Sequence, residues 1–153
     1  MGAGRVLIGV LFCIVAAAMI IVFVTLGLSV EEVVALGWPT SLFQNIFLYT
    51  MHPYSFIQYG EWSILAALAA GAFIGGLISK GAKSGLAVGS ISFGLLFFLQ
   101  LAVGVFFNFT ELLGWYGFVL FVGGNVIIDI ALCAGLLIVC GAIGGALTSD
   151  GED

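Results

Sequence analysis

Residues 62–107 read WSILAALAAGAFIGGLISKGAKSGLAVGSISFGLLFFLQLAVGVFF. Two apolar runs, Trp62–Ser79 and Ser84–Phe107, flank a short turn that holds Lys80 and Lys83. A helix needs about 20 apolar residues to cross the hydrocarbon core of a bilayer. Both runs approach that length, and so short a turn returns the chain antiparallel to itself. This stretch predicts two adjacent membrane-spanning helices with a basic hairpin between them.

Two further runs of the same kind lie outside it, Val6–Leu28 behind Arg5 and about Val126–Leu147. The fold class expected is an all-α membrane protein of four transmembrane helices in one membrane domain. Composition agrees, with 63% apolar and 7% charged residues among 153. Soluble domains average about 45–50% apolar and about 25% charged, and a chain this size cannot hide such an excess from water. The lipid bilayer is its expected surrounding. A net charge of −5 with three basic residues excludes a nucleic-acid footprint. The first run exceeds the about 7–15 apolar residues of a signal core, so a retained helix is expected. Cys13, Cys133 and Cys140 sit in apolar runs with no CxxC spacing. They read as small apolar residues, and neither a zinc site nor a disulfide framework is predicted.

Arg5, Lys80 and Lys83 fall on one side of this topology and no lysine or arginine on the other. The positive-inside rule then places both termini in the cytoplasm, most simply across the plasma membrane, with residues 29–61 and 108–125 outside. Residues 41–52, SLFQNIFLYTMH, put Leu42, Phe43, Ile46 and Phe47 at helical spacing. They predict an interfacial helix within the 41–60 segment, ended at His52-Pro53. Trp38, Tyr49, Tyr54, Tyr59, Trp62, Trp115 and Tyr116 gather on the same side as an aromatic belt.

Laid on itself, the chain shows a tandem repeat of two helix pairs, 5–79 and 83–148. Arg5 and Gly9 face Lys83 and Gly89, and Ser29-Val30-Glu31-Glu32 faces Asn108-Phe109-Thr110-Glu111. Both tetrapeptides are capping patterns, with Glu32 and Glu111 three residues after the cap. Leu36-Gly37-Trp38 matches Leu113-Gly114-Trp115, and Ile74–Ser79 matches Ile143–Thr148. The second half lacks most of the 41–60 insertion, and a short acidic tail, 149–153, follows it. Two crossings per half imply a pseudo-two-fold axis along the membrane normal.

Small residues four apart line each span: Gly9, Cys13 and Ala17; Ala67, Gly71, Gly75 and Ser79; Gly85 and Gly89; Gly141, Gly145 and Ser149. Such ridges let helix backbones approach where no hydrophobic force drives association. Internal packing is the preferred reading, and a docking face for another protein the sharper one. Residues 71–89 resemble the helix–turn–helix of small prokaryotic, often archaeal, membrane proteins, a resemblance that implies membrane placement and no activity.

Asp129 is the ionisable residue inside a span, with Asn125 four residues earlier and Gln100 on the third helix within possible reach. An ion or proton site is one reading. A hydrogen-bonded carboxyl acting as interhelical glue is preferred, because a transporter usually carries more than one such group. His52, the sole histidine, reads as a surface residue. No catalytic, cofactor-binding or metal-ligating constellation is recognisable. The function expected is a non-catalytic accessory or structural subunit of a larger integral membrane complex. A small channel or carrier acting as a homo-oligomer is the alternative, and an intramembrane enzyme a distant third.

Overall fold

The computed structural model describes residues 3–36, 46, 49–108 and 125–149, with side chains left out at 36, 100–108 and 126. The protein is all-helical, and no strand occurs among the described residues. Helix α1 spans Ala3–Ile20 and continues as a π-helical turn over Ile21–Thr25. Then follow α2 (Val30–Leu36), α3 (Pro53–Ile57), α4 (Ser63–Ser79), α5 (Ala82–Asn108) and α6 (Val126–Leu147).

Three helices among the described residues are long and apolar enough to cross a membrane: Ala3–Thr25, Ala82–Leu99 and Ile127–Leu147. Helix α4 has 17 residues, an axial length of about 25 Å against the roughly 30 Å hydrocarbon core. Trp62, read from sequence as the start of that span, is its N-cap residue and is exposed. The first span is also shifted from the expected Val6–Leu28. It runs through Arg5 to Ala3 and stops at Thr25, where the chain bends into Gly27 at φ 64°.

The first helix buries a face of mostly small residues and exposes its large ones. On α1, Gly9, Val10, Cys13 and Ala17 are buried, while Leu7 and Leu11 are 65% and 60% exposed. A water-soluble helix does the reverse, because burying large apolar groups drives its packing. Among lipid tails that drive vanishes and close backbone approach takes its place.

Helix α1 packs along α4, α4 along α6, and α6 along α5. A methyl group on Gly9 would stand 2.6 Å from the Gly75 carbonyl oxygen, and one on Gly71 2.6 Å from that of Cys13. At the other end of this pair, the Thr25 and Ser63 hydroxyls lie 2.8 Å apart. Helices α1 and α4 are therefore antiparallel. Gly85 and Gly89 meet Gly141 and Leu137 in the same manner, so α5 and α6 are antiparallel too. Between the pairs, Gly76 lies against Gly141 and Gly145, and Gly144 against Phe73 and Leu77. The Thr148 hydroxyl donates to the Leu77 carbonyl at 3.1 Å, so α4 and α6 run parallel.

Arg5, Lys80 and Lys83 share one end of the bundle, called here the basic end. The turn there takes Lys80 to φ 52° and Gly81 to φ 92°, and Gly81 N–H donates to the Gly145 carbonyl at 2.9 Å. A glycine suits position 81 because a side chain is strained at that φ.

Candidate functional site

At the end opposite the basic one, three polar residues meet in an apolar core. Asp129 is 1% exposed, and His52 is 7% exposed. Asp129 stands in the first turn of α6. Its backbone N–H bonds the Asn125 carbonyl at 2.8 Å. Asn125 is thus the N-cap residue of α6, without a side-chain capping bond.

The side chain of Asp129 is occupied by the 41–60 segment. Its Oδ1 accepts the backbone N–H of Tyr54 at 2.6 Å and that of Ser55 at 3.1 Å. Its Oδ2 accepts the Ser55 hydroxyl at 2.8 Å, with His52 Nδ1 3.5 Å away. Tyr54 and Ser55 are the second and third residues of α3, whose first turn begins at Pro53. The N–H groups of a first turn have no partner inside their own helix. The residue preceding α3, His52, makes no side-chain capping bond. Asp129 caps α3 from another helix.

Two sequence expectations are corrected here. His52 is buried and not a surface residue, and Asp129 is satisfied by Tyr54 and Ser55. Sequence spacing led to Asn125 and Gln100 because they share its helix or a neighbouring one, whereas the donors found are mostly backbone groups of the 41–60 segment. The side chain of Gln100 lies outside the described residues. The described part of the insertion also does more than lie on a surface. Ile46, Thr50, Met51 and Pro53 are buried, and Met51 belongs to the central core with Ile64, Leu68 and Leu137. The expected break at His52-Pro53 is present, with His52 at φ −123°, ψ 48°. A new helix then starts at Pro53, because proline at a first helical position lacks only an N–H that would go unbonded. Tyr49 and Phe56 stack across the break with ring centroids 4.1 Å apart.

Burial holds the His52 imidazole below its ordinary pKa, partly offset by the neighbouring Asp129. Hydroxyl, imidazole and carboxylate are all present, yet Ser55 and His52 converge on the same carboxylate oxygen. A nucleophilic triad instead places the hydroxyl on the imidazole. The arrangement is that of a fastener.

The packing glycines Gly9, Gly71, Gly75, Gly85, Gly89, Gly141 and Gly145, together with Cys13, Ala67 and Ser79, are buried. Each of the seven glycines faces another helix of the same chain. They provide no spare surface for docking, which corrects the sharper of the two readings. Glu32 forms the predicted capping box: its carboxylate accepts Ser29 N–H at 2.7 Å, and its own N–H donates to Ser29 Oγ at 3.2 Å. Those bonds hold the exposed Glu32 carboxyl below the usual carboxylate range. Gly37, Trp38, Glu111, Gly114 and Trp115 lie outside the described residues, as do Tyr116 of the belt, the rest of 109–124, and the tail beyond 149. Tyr59 and Trp62 are exposed near the start of α4. Comparison of the chain with known families, curated proteins and solved structures gives no match.

Proposed function

We propose that this protein is a four-span integral membrane protein, a tandem repeat of two helix pairs, acting as a non-catalytic subunit of a larger membrane assembly. The observation that carries the functional part is the use made of Asp129. Both oxygens of the buried side chain bind the chain's own residues Tyr54 and Ser55, which is a structural use of an intramembrane ionisable residue. The partner-facing surface then consists of large apolar side chains on the outer faces of α1 and α6, such as Leu7, Leu11, Val139 and Ile143. The glycine faces take no part in it.

The repeat is supported by helix direction, since α1 and α5 run one way and α4 and α6 the other. Contacts between the pairs support it further, because Gly76 and Gly144 each nest against the backbone of the opposite helix, near the same end of the bundle. The shared basic end supports cytoplasmic termini in the plasma membrane. Labelling with an impermeant thiol reagent tests the orientation: Tyr59→Cys should react from outside the cell and Ala82→Cys should not.

Purification in mild detergent tests the subunit reading. Other integral membrane proteins should co-purify in fixed ratio, and Leu11→Arg on the exposed face of α1 should release them. An isolated monomer or homo-oligomer that moves a solute across liposomes would favour the channel or carrier reading. The buried pairing of His52 with Asp129 is the observation on that side.

A further inference from the structure

A groove of about 440 Å³ runs along the flank of α1, between it and α2. Ala18, Met19 and Val22 form one wall, Val34 the other, and Leu96 and Thr50 are also in contact with it. Among the described residues, Thr50 supplies the one hydroxyl of the lining. So apolar a space has little to hold water with, and a hydrocarbon chain suits it.

Its open side is set by the exposed residues in its walls. Met19 is 52% and Val34 72% exposed, and Met19 belongs to the outward face of a membrane-length helix. Val22 lies in the π-helical turn. Such turns are rare and frequently occur at functional sites.

Charge selects the headgroup. All three basic residues of the chain lie at the opposite end of the bundle. Beside the groove, α2 carries Glu31 and Glu32, both in its first turn. Glu61, just before α4, adds a third carboxylate at this end. An anionic headgroup is repelled there and an ammonium attracted.

We propose that this groove binds one acyl chain of a phospholipid whose headgroup carries an ammonium, such as phosphatidylethanolamine, entering from the leaflet at the α2 end. The proposal needs the bilayer placement and is independent of the subunit reading, because lipid retention is measured on the protein alone.

The test uses the full chain in nanodiscs of equal parts dioleoyl phosphatidylethanolamine and dioleoyl phosphatidylglycerol, followed by detergent release and native mass spectrometry. One phosphatidylethanolamine should stay with each chain, preferred over phosphatidylglycerol by about fivefold or more, since each nearby surface charge contributes about that factor. Ala18→Phe, which fills the groove, should reduce retention to background, while Leu86→Phe on the exposed face of α5 should leave it unchanged. Val34→Phe, from the other wall, gives the same readout if Ala18→Phe fails to fold. Glu31→Lys should keep a lipid bound but shift the preference toward phosphatidylglycerol. Equal or greater retention of phosphatidylglycerol by the wild type, no retained lipid, or full retention in both wall variants would overturn the proposal.

Discussion

Replacing Asp129 by alanine removes the acceptor for three donors at once: the N–H groups of Tyr54 and Ser55 and the Ser55 hydroxyl. A hydrogen bond to a charged group contributes about 1.5–3 kcal/mol net, and three fully orphaned donors would cost several times that. The segment escapes part of the penalty by lifting away from α6 to find water. The expected loss is therefore about 3–5 kcal/mol, less than the roughly 4.5–9 kcal/mol that three such bonds would sum to without that relief. It should be concentrated in residues 49–57. Asp129→Asn behaves differently. The amide oxygen still accepts both N–H groups, and the amide nitrogen can donate to a rotated Ser55 hydroxyl, so about 1 kcal/mol is lost. Hydrogen exchange resolved to single amides in detergent measures this directly at Tyr54 and Ser55. In Asp129→Ala their exchange should accelerate by at least about a hundredfold, and in Asp129→Asn by no more than about tenfold. Two results refute the reasoning: unchanged exchange at both amides in the alanine variant, or equal damage from asparagine and alanine.

The α4–α6 contact predicts that Gly76→Ala, whose methyl group would meet the Gly141 carbonyl, destabilises the bundle by about 1–3 kcal/mol through overpacking. Gly94→Ala, with nothing within 4 Å, should be neutral or stabilising by up to about 1 kcal/mol; unfolding titrations in mixed micelles with SDS compare the two. Ser29→Ala should cost α2 about 1 kcal/mol of local stability, read as faster amide exchange in residues 30–36 without a change in global unfolding. The pH dependence of the fastener follows from His52, whose folded pKa lies below its ordinary 6.5. The undocked segment then binds more protons, so docking is strongest above about pH 6.5 and weakens as pH falls below it toward the folded pKa. Exchange in residues 49–57 at about pH 7.5 and 5.5 should show this, and His52→Gln should flatten it.

Composition and apolar runs by themselves determined that the chain is helical and belongs in a bilayer, because no other solvent accommodates so much apolar surface. Local chemistry was equally legible. The Ser29–Glu32 capping box needs only residues three apart, and the break at His52-Pro53 follows from proline sterics. Glycine spacing marked the faces of close approach, since i, i+4 periodicity places Gly71 with Gly75 and Gly141 with Gly145 on single ridges. Which ridge meets which, and that they are consumed within one chain, only the tertiary structure decided. Helix ends drifted for a related reason. Hydropathy continues past Thr25 to Leu28, but the backbone turns where Gly27 takes a positive φ. The site was the least legible part. Asp129 stood out as a charge in an apolar run, yet two of its three donors are backbone N–H groups 74 and 75 residues away. A backbone N–H is the same at every non-proline position, so no residue pattern announces that one will serve a distant carboxylate. That pairing, and with it the burial of His52, is settled only when the insertion folds back onto the bundle and the first turn of α3 meets the first turn of α6.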